Sequence, residues 1–347
     1  MASRAEPRAP GLKDVAAEAK VSWKTVSNVV NGTGRVGEQT RKRVEDAIQR
    51  LGYRPSVIGR QLRSGRTGIL ALAVPEIGHP YFSWLAQETI RAARVRGYRV
   101  FIDQTGGDRA TEAVVARGYD ERLFDGIVFS PLELSLSEAI ELERDTPLVL
   151  LGERSVGSSG ANVDHVSIDN VGAARDAVHH LVATGRHRLA FVGVEPGGPD
   201  RTGALRLKGF HEGLRAEDLS PDPTMERPVT AFTRAEGSRV IEALLPRINQ
   251  LDGILFANDQ LALGALHALR MNGIRVPHDI GVVGWDNIED GRYSNPTLTT
   301  IAPDVEKIAE SAVSRVLAMI DGAAVEPLDV VAPHRLLVRE STAVTES

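Results

Sequence analysis

Hydrophobic and polar positions follow two different patterns along the chain. In residues 11–54, apolar side chains recur three or four positions apart, which predicts short amphipathic helices. From about Thr67 onward, continuous apolar runs alternate with amphipathic stretches. Such runs are typical of parallel strands that helices bury on both faces. The chain is therefore expected to hold a small all-α head and a larger α/β body.

Three helices are predicted in the head. They cover residues 12–19, residues 23–30 and the stretch from about Glu38 to Leu51. Lys20 and Val21 form a tight turn after the first helix, and the Ser22 hydroxyl is suited to cap the second. Two short helices joined by such a turn, with a third helix as a brace, predict a helix-turn-helix unit.

The second predicted helix has an unusual polar face. Trp23, Lys24, Thr25 and Asn28 crowd its first turns, away from the apolar stripe. An aromatic ring, a cation and hydrogen-bonding groups suit a helix that reads base edges in the major groove. The alternative is an ordinary three-helix cap with a polar surface, because helix-turn-helix patterns by themselves are weak signals.

The segment YRPSVIGRQLRSGRTG, residues 53–68, is basic and too short to form a stable helix alone. Pro55 stands at a plausible first helical position, and Leu62 belongs to a short apolar stripe. A segment of this kind can order when it is laid against DNA and push Leu62 into a minor-groove base step. A plain interdomain linker is the alternative.

The body predicts two doubly wound parallel-sheet halves. The predicted strands are residues 68–75, 98–103, 125–131, 147–152, 188–194, 253–258 and 280–286, with a last strand near His334–Arg339. The amphipathic helices between them include residues 83–96, 171–184, 235–245 and 260–272. Roughly four strands precede Asp169 and three or more follow it. Ligands bind such sheets beyond the carboxyl ends of the strands, so residues just after each strand are candidates for a site.

Composition and charge narrow the function further. The chain of 347 residues has no cysteine, which excludes disulfides and thiolate metal sites. Its first residues lack an apolar signal, and no run approaches the roughly 20 apolar residues of a membrane span. We therefore expect a cytoplasmic protein with no membrane partner. The net charge of −5 combines +8 in residues 1–66 with −13 in the remainder, which indicates a polyanionic partner for the head.

The whole pattern resembles the lactose-repressor (LacI/GalR-type) family of bacterial transcription regulators over about residues 11–342. The motifs that carry the resemblance are LKDVAAEAKVSWKTVSNVVNG, RKRVEDAIQRLGYRPSVIGRQLRSGRTG, HPYF, SIDNVGAARDAVHHLVATGRHRLAFVG, RLKGF, FANDQLALGALHALRMNGIRVPHDIGVVGWDN and NPTLTTI. The resemblance implies a DNA-binding headpiece, a hinge helix and a two-lobed core like that of periplasmic sugar-binding proteins. It also implies an effector in the cleft and a homodimer on a near-palindromic operator.

By this resemblance, Trp23, Lys24 and Asn28 occupy the positions that touch base edges, with Leu12 and Tyr53 at DNA-contacting positions beside them. The side chains suited to phosphate contacts are Ser22, Thr25, Ser27 and Asn31. Leu62 occupies the position of the minor-groove wedge. The Trp23 ring can either stack on thymine methyl groups or pack against the sugar-phosphate backbone.

Two positions depart from the family pattern. Lys20 stands in the turn where a small residue or glycine is usual, so it must bear any left-handed backbone cost. Gly59 replaces the usual alanine in the hinge and costs a helix about 1 kcal/mol. The hinge is therefore expected to order less readily, so that operator binding depends more on dimer contacts and effector state.

The resemblance also supplies candidate effector-binding residues. Three aromatic side chains can cover the apolar faces of a sugar ring: Tyr81, Phe82 and Phe232. Hydroxyl groups can be bound by Asp169, Arg206, Asn258 and Asp286, with Thr202 nearby by family position. Two alternatives remain open, because Tyr81 and Phe232 can be core residues, and Asp169 and Asn258 can simply cap the helices that follow them.

The sequence therefore predicts a repressor whose operator affinity a small sugar-like effector controls, without a cofactor or metal. Its predicted parts are a tail (1–10), a headpiece (11–54), a hinge (55–66), a core (67–342) and a second tail (343–347). A sugar-modifying enzyme is the second hypothesis, although no nucleophile motif is present. A solute-binding protein is the third, but it leaves the basic head without a role.

Overall fold

A computed structural model describes residues 10–31, 33–53, 65–119, 123–152, 163–195, 201–323 and 328–343. The chain divides into two compact units, with the boundary between Thr67 and Gly68. The first unit contains the head and the second contains the body. Residues 55–64 of the predicted hinge, including Gly59 and Leu62, lie outside the described residues, as do Arg54 of the predicted headpiece and residues 1–9 and 344–347 of the predicted tails.

The head forms the three predicted helices. They are α1 (Leu12–Ala19), α2 (Trp23–Asn31) and α3 (Glu38–Leu51). Val15, Val26, Val44 and Ala47 are fully buried where the three helices meet. The apolar spacing that predicted each helix therefore also supplies the core of the head, and the helix-turn-helix prediction is confirmed.

Lys20 adopts the left-handed backbone conformation in the turn between α1 and α2, as expected. Lys20 has φ 54° and ψ 47°, the left-handed conformation, and its N–H donates to the carbonyls of Ala16 and Ala17. The Ser22 hydroxyl then accepts from the N–H of Thr25 at 3.1 Å, which caps α2. A non-glycine residue in this conformation is uncommon because its Cβ crowds the backbone.

The body contains two six-stranded sheets. Its strands are β1 (Ile69–Val74), β2 (Arg99–Gln104), β3 (Gly126–Phe129), β4 (Leu148–Leu151), β5 (Val163–Ile168), β6 (Leu189–Val194), β7 (Glu226–Pro228), β8 (Gly253–Phe256), β9 (Gly281–Trp285), β10 (Thr299–Pro303), β11 (Asp329–Ala332) and β12 (His334–Leu337). The first sheet has the order β11-β5-β4-β3-β1-β2, and the second has the order β12-β10-β9-β8-β6-β7. The described strand pairs are parallel except for β10 with β12, which is antiparallel.

Every strand predicted in the body is present, but β5, β7, β10 and β11 were missed. The omission of β5 has a clear physical cause. Its sequence VDHVSI carries Asp164 and His165, yet both side chains are buried. Arg315 donates to Asp164 at 2.5 Å, and the imidazole of His165 lies 2.8 Å from the carboxylate of Asp329. The strand has no continuous apolar run, and it can be buried because partners from distant segments satisfy its polar groups.

Helices cover the sheets of both lobes. They are α4 (Pro80–Arg94), α5 (Arg109–Ala116), α6 (Leu136–Leu142), α7 (Asn170–Ala183), α8 (Thr202–Ala216), α9 (Arg234–Leu244), α10 (Asp259–Met271), α11 (Asp290–Tyr293) and α12 (Val305–Ile320). In the first lobe, α4 and α12 pack on one face of the sheet while α5 and α6 cover the other. In the second lobe, α7 packs against α8 and α9 packs against α10. The predicted doubly wound architecture is confirmed.

The chain crosses between the lobes three times rather than dividing once at Asp169. It leaves the first lobe after β5, returns after β10 so that α12 and β11 join the first lobe, and crosses again before β12. The N–H of Asp304 donates to the carbonyl of Pro333 at 2.9 Å, which ties two of these crossings together. Both lobes are consequently built from segments distant in sequence, which a linear pattern does not reveal.

The longest of the described helices, α12, has 16 residues. In the portions of the chain that the structure describes, none of them meets the requirements for crossing a membrane.

The Lys20 turn yields a test of the head. Lys20→Gly should stabilise the head by about 1 kcal/mol, because glycine adopts the left-handed conformation without crowding and the Lys20 side chain is exposed. Native-state hydrogen exchange of the α1 and α2 amides in the full-length protein measures the change.

Ala17→Gly is the matched control, since it places glycine at an exposed position inside α1. It should destabilise the head by about 1 kcal/mol. Faster exchange in both variants would contradict a left-handed cost at Lys20.

Candidate functional site

A cavity of about 390 Å³ lies between the two lobes of the body. Its walls come from residues at or just beyond the carboxyl ends of strands in both sheets, including β1, β3, β6, β8 and β9. Small-molecule sites usually span roughly 300–1,000 Å³. The structure brings together seven of the eight predicted effector residues along this cavity: Tyr81, Phe82, Thr202, Arg206, Phe232, Asn258 and Asp286.

Arg206 is the most firmly held charge at the cavity. It is 4% exposed, its Nε donates to Asn170 Oδ1 at 2.8 Å, and its guanidinium also donates to the carbonyl of Ala257. The guanidinium lies 4.0 Å from the ring centroid of Trp285, a cation–π contact. A buried charge is costly unless it is fully engaged. Trp285 ends β9 and was read from the sequence only as a strand residue.

Glycine at position 203 brings α8 close enough to present its side chains to the cavity. A Cβ on Gly203 would lie 2.1 Å from the carbonyl oxygen of Gly193 in β6. Only glycine allows this approach without a shift of the backbone. The first turns of α8 therefore sit on the end of β6, which places Thr202 and Arg206 at the cavity wall.

Asn258 both caps a helix and lines the cavity. Its Oδ1 accepts from the N–H of Leu261 at 2.9 Å, which caps α10. Its Nδ2 then donates to Nε2 of His79 at 3.1 Å and faces the carbonyl of Phe232 at 3.4 Å. Since Asn258 follows β8 in the second lobe and His79 precedes α4 in the first, this hydrogen bond spans the cleft. Asn258 therefore has both of the roles considered from the sequence, helix capping and cavity lining.

His79 was not predicted as a site residue, although it begins the HPYF motif. Burial, followed by the positive charge of Arg206, lowers the pKa of His79 to about 4. The imidazole is therefore neutral at physiological pH, and its Nε2 is the acceptor for Asn258. The missed signal was the position directly before a helix that faces the cavity.

Asp286 follows β9 in a strained backbone conformation. Its φ is 104°, and the next residue, Asn287, has φ 55°. The N–H of Asp286 donates to the carbonyl of Ile301 at 2.9 Å, which holds this turn against β10. Non-glycine residues rarely take such angles, and they cluster at functional sites. The strain is thus consistent with a carboxylate positioned for a ligand.

The aromatic residues form one apolar wall. The rings of Tyr81 and Phe82 meet edge to face at 5.3 Å, and the His79 ring lies 5.7 Å from that of Phe82. Tyr81, Phe82 and Phe232 are each partly buried, and each packs against the core while lining the cavity. The core-packing alternative and the ligand-facing prediction are therefore compatible for these rings.

A second contact spans the cleft at Arg201. Arg201 precedes α8 in the second lobe, while Leu132 and Glu133 follow β3 in the first. The guanidinium donates to the carbonyl of Leu132 at 2.8 Å and to the Glu133 carboxylate at 2.9 Å. All three residues line the cavity. Sequence reasoning missed this pair because the two partners are 68 residues apart.

Asp169 is the predicted effector residue that is not among those lining the cavity. Its carboxylate accepts from the N–H of Gly172 at 2.8 Å and caps α7, and the residue is exposed. This is the helix-capping alternative considered for the sequence IDNVG.

In the head, the residues predicted to contact DNA differ in exposure. Trp23 is 58% exposed, and Ser22 and Lys24 are also exposed. Thr25, Asn28 and Leu12 are partly buried. Trp23 and Lys24 lie in the first turn of α2, where a recognition helix presents its base-reading residues, and Ser22 directly precedes it.

The other residues predicted to contact DNA are either largely buried or outside the described residues. Ser27 is 8% exposed and Tyr53 is 9% exposed, and Tyr53 belongs to the apolar core of the head. The Ser27 side chain is thus largely covered in this structure, which disfavours a phosphate contact without rearrangement. The side chain of Asn31 and all of Leu62 lie outside the described residues.

Comparisons with known proteins match both units. The sequence profile of the lacI family of bacterial regulatory proteins matches residues 11–56, and that of a periplasmic binding protein-like domain matches residues 178–342. The HTH-type transcriptional regulator RegA of Clostridium acetobutylicum is 32% identical and covers 96% of this chain and 99% of its own length.

Two solved structures match both the head and the body. The complex of the transcriptional regulator CelR with cellobiose has 30% identity and a TM-score of 0.70, covering 96% of this chain and 99% of its own. The Lac repressor dimer bound to operator and the anti-inducer ONPF has 27% identity and a TM-score of 0.83, covering 97% of this chain and 100% of its own.

A helix-turn-helix head and a two-lobed core with a central cavity, in one chain, define a DNA-binding transcriptional regulator. The level and extent of identity to RegA then settle the family. The chain belongs to the LacI family of bacterial regulatory proteins.

The lowered pKa of His79 predicts a pH-dependent loss of stability. The unfolded chain binds a proton near pH 6.5 and the folded protein only near pH 4, so stability is lost as the pH falls through this interval. The loss assigned to His79 reaches about 3 kcal/mol. His79→Gln, which keeps an acceptor for Asn258, should remove this component.

Urea unfolding of both proteins at several pH values between 4 and 7 measures the difference. The comparison is needed because burial raises the pKa of Asp259 to about 7, which contributes the opposite slope in both proteins. Parallel pH profiles for wild type and variant would refute the assignment to His79.

Proposed function

We propose that the protein is a homodimeric repressor that binds a near-palindromic operator through its head and responds to a small sugar in the cavity between its lobes. The observation that carries this proposal is the pairing of aromatic faces with polar groups along one interlobe cavity. Tyr81, Phe82 and Phe232 offer apolar surfaces, while Arg206, Asn258 and Asp286 offer donors and acceptors. Each buried hydroxyl left unpaired would cost about 1–3 kcal/mol, so a polyol needs such partners. The cellobiose complex of CelR supports the same ligand class.

The lobes supply the moving part of the proposed mechanism. Three crossings join them, and the contacts of His79 with Asn258 and of Arg201 with Glu133 span the cleft. A ligand that binds both walls alters the balance between open and closed arrangements. Coupling of that balance to the hinge changes operator affinity, and operator DNA must change effector affinity by the same factor.

The DNA-binding mode follows from the head. Trp23 and Lys24 project from the first turn of α2, and the basic charge of the head favours binding to phosphates. A dimer would place two such helices in successive major grooves, with paired Leu62 side chains wedged between the half-sites. The Lac repressor dimer bound to operator supports a dimer as the DNA-binding form.

Ligand binding, rather than catalysis, is the role that the cavity supports. His79 is the imidazole among the described lining residues, and its Nε2 already accepts from Asn258, so it is not poised to activate a hydroxyl. The proposed place of action is the cytoplasm, where operator DNA is reached.

The effector assignment predicts a reciprocal effect of DNA. An operator selected from genomic fragments should shift the affinity for a bound sugar, and that sugar should shift operator affinity by an equal factor. Titration with neutral sugars, sugar phosphates and nucleosides, followed by tryptophan fluorescence, measures both shifts, because Trp285 lies beneath Arg206.

Asp286→Asn serves as the cavity variant, since asparagine tolerates a positive φ. It should weaken sugar binding at least tenfold, or about 1.4 kcal/mol. Tight operator binding with no ligand from the panel would refute the sugar-effector assignment and leave the DNA-binding function standing.

The recognition helix gives a separate prediction. Lys24→Ala should reduce affinity for the selected operator by about 1–3 kcal/mol more than affinity for random DNA, because a base contact carries sequence information. Fluorescence anisotropy with both DNAs measures the two losses. Lys42→Ala, an exposed charge on α3, is the matched control and should affect both DNAs equally. Equal losses for Lys24→Ala would remove it from base recognition.

A further inference from the structure

We infer that the cavity selects uncharged or amino sugars and rejects phosphorylated and other anionic sugars, with Glu195 as the main specificity-determining residue. This inference rests on the proposed function, because it refines the class of sugar that the cavity binds. Three features carry it: the balance of charges along the wall, the engagement of both guanidinium groups, and the position of Glu195 at a helix N-terminus.

Carboxylates outnumber cations among the described residues that line the cavity. The carboxylates are Glu76, Glu133, Glu195 and Asp286, and the guanidinium groups are Arg201 and Arg206. His79 adds no positive charge near neutral pH, because burial lowers its pKa to about 4. An additional anion would therefore enter a wall that already carries an excess of negative charge.

Both guanidinium groups already have protein partners. Arg201 binds the carboxylate of Glu133 and the carbonyl of Leu132 across the cleft. Arg206 donates to Asn170 and Ala257 and lies over Trp285. A phosphate is normally held by arginine through two parallel N–H donors. A phosphate here would compete with Glu133 for Arg201, and it would find Nε and one Nη of Arg206 already committed to Asn170 and Ala257.

Glu195 occupies the place that a phosphate would otherwise take at α8. Helix N-termini attract anions because their first N–H groups point outward with a partial positive charge. The Oε2 of Glu195 accepts from the N–H of Gly203 at 2.9 Å, in the first turn of α8. Two other helices that begin at the cavity are capped in the same way, α10 by Asn258 and α9 by Thr233, whereas α4 has Pro80 in its first turn and no side-chain cap.

The same carboxylates favour a ligand rich in O–H or N–H donors. An ionised carboxylate only accepts hydrogen bonds, whereas a sugar hydroxyl both donates and accepts. Neutral sugars can therefore donate to Glu195 and Asp286, and an ammonium group gains a favourable charge. A phosphate dianion has no hydrogen-bond donor. Its oxygens would therefore face the carboxylate oxygens of Glu195 and Asp286 without a hydrogen bond between them.

The test compares matched pairs of sugars on the full-length protein by isothermal titration calorimetry. The pairs are glucose with glucose 6-phosphate, trehalose with trehalose 6-phosphate and cellobiose with its 6-phosphate, and glucosamine is the cationic probe. We expect the neutral member of the best-binding pair to bind at least tenfold more tightly than its phosphate.

Glu195→Gln separates charge from the added bulk of the phosphate. Glutamine keeps an acceptor for the Gly203 N–H and removes the charge, so the ratio of neutral to phosphorylated affinity should fall at least tenfold. Glu242→Gln removes the same charge from an exposed position on α9 and should leave the ratio within twofold.

Each outcome bears on the inference. Equal or tighter binding of a phosphorylated sugar by the wild-type protein overturns it while leaving the sugar-effector function intact. An unchanged ratio in Glu195→Gln removes Glu195 from the selection. Failure of every sugar, neutral and charged, overturns the proposed function and this inference together.

Discussion

The strands of both sheets end toward a common cleft, because parallel pairing requires each connecting helix to return the chain to the same starting edge. Residues after β1, β3, β6, β8 and β9 consequently meet along one cavity, although they are far apart in sequence. The three crossings between lobes preserve this geometry, since they leave the carboxyl ends of both sheets facing each other. The position of the cavity in the core follows from this one directional constraint.

Burying polar groups at that cleft favours side chains that are engaged before a ligand binds, although His79 Nδ1 and Trp285 Nε1 are buried there without a hydrogen-bond partner among the described residues. Arg206 is engaged through Asn170, Ala257 and the ring of Trp285. Asn258 is engaged by capping α10 with its oxygen while its nitrogen reaches His79 in the other lobe. Such preorganised groups lose little freedom on binding, and the ones that cross the cleft also connect the two lobes. Structural and functional roles therefore coincide in the same side chains.

In the head, a few buried residues and one turn residue likewise determine which side chains are exposed. Val15, Val26, Val44 and Ala47 lie at the centre of the apolar core that joins its three helices, and Lys20 adopts the left-handed conformation in the turn. This leaves Trp23 and Lys24 exposed on the first turn of α2. The concentration of positive charge in residues 1–66, against an acidic remainder, directs the attraction for DNA to this unit. Recognition of DNA and recognition of a small molecule are thus assigned to separate units of one chain.

The sequence by itself determined the three head helices, the confirmed apolar strands and the family, because apolar periodicity and contiguous motifs are local properties. It also placed Tyr81, Arg206 and Asp286 at the cavity through motif position. Only the tertiary structure decided that β5 is a strand and that α12 and β11 return to the first lobe. It also showed that Arg201 meets Glu133, that His79 meets Asn258 and that Asp169 caps a helix outside the cavity lining. These outcomes depend on partners that are distant in the chain, because a polar residue can be buried only where the fold supplies it with a hydrogen-bond partner.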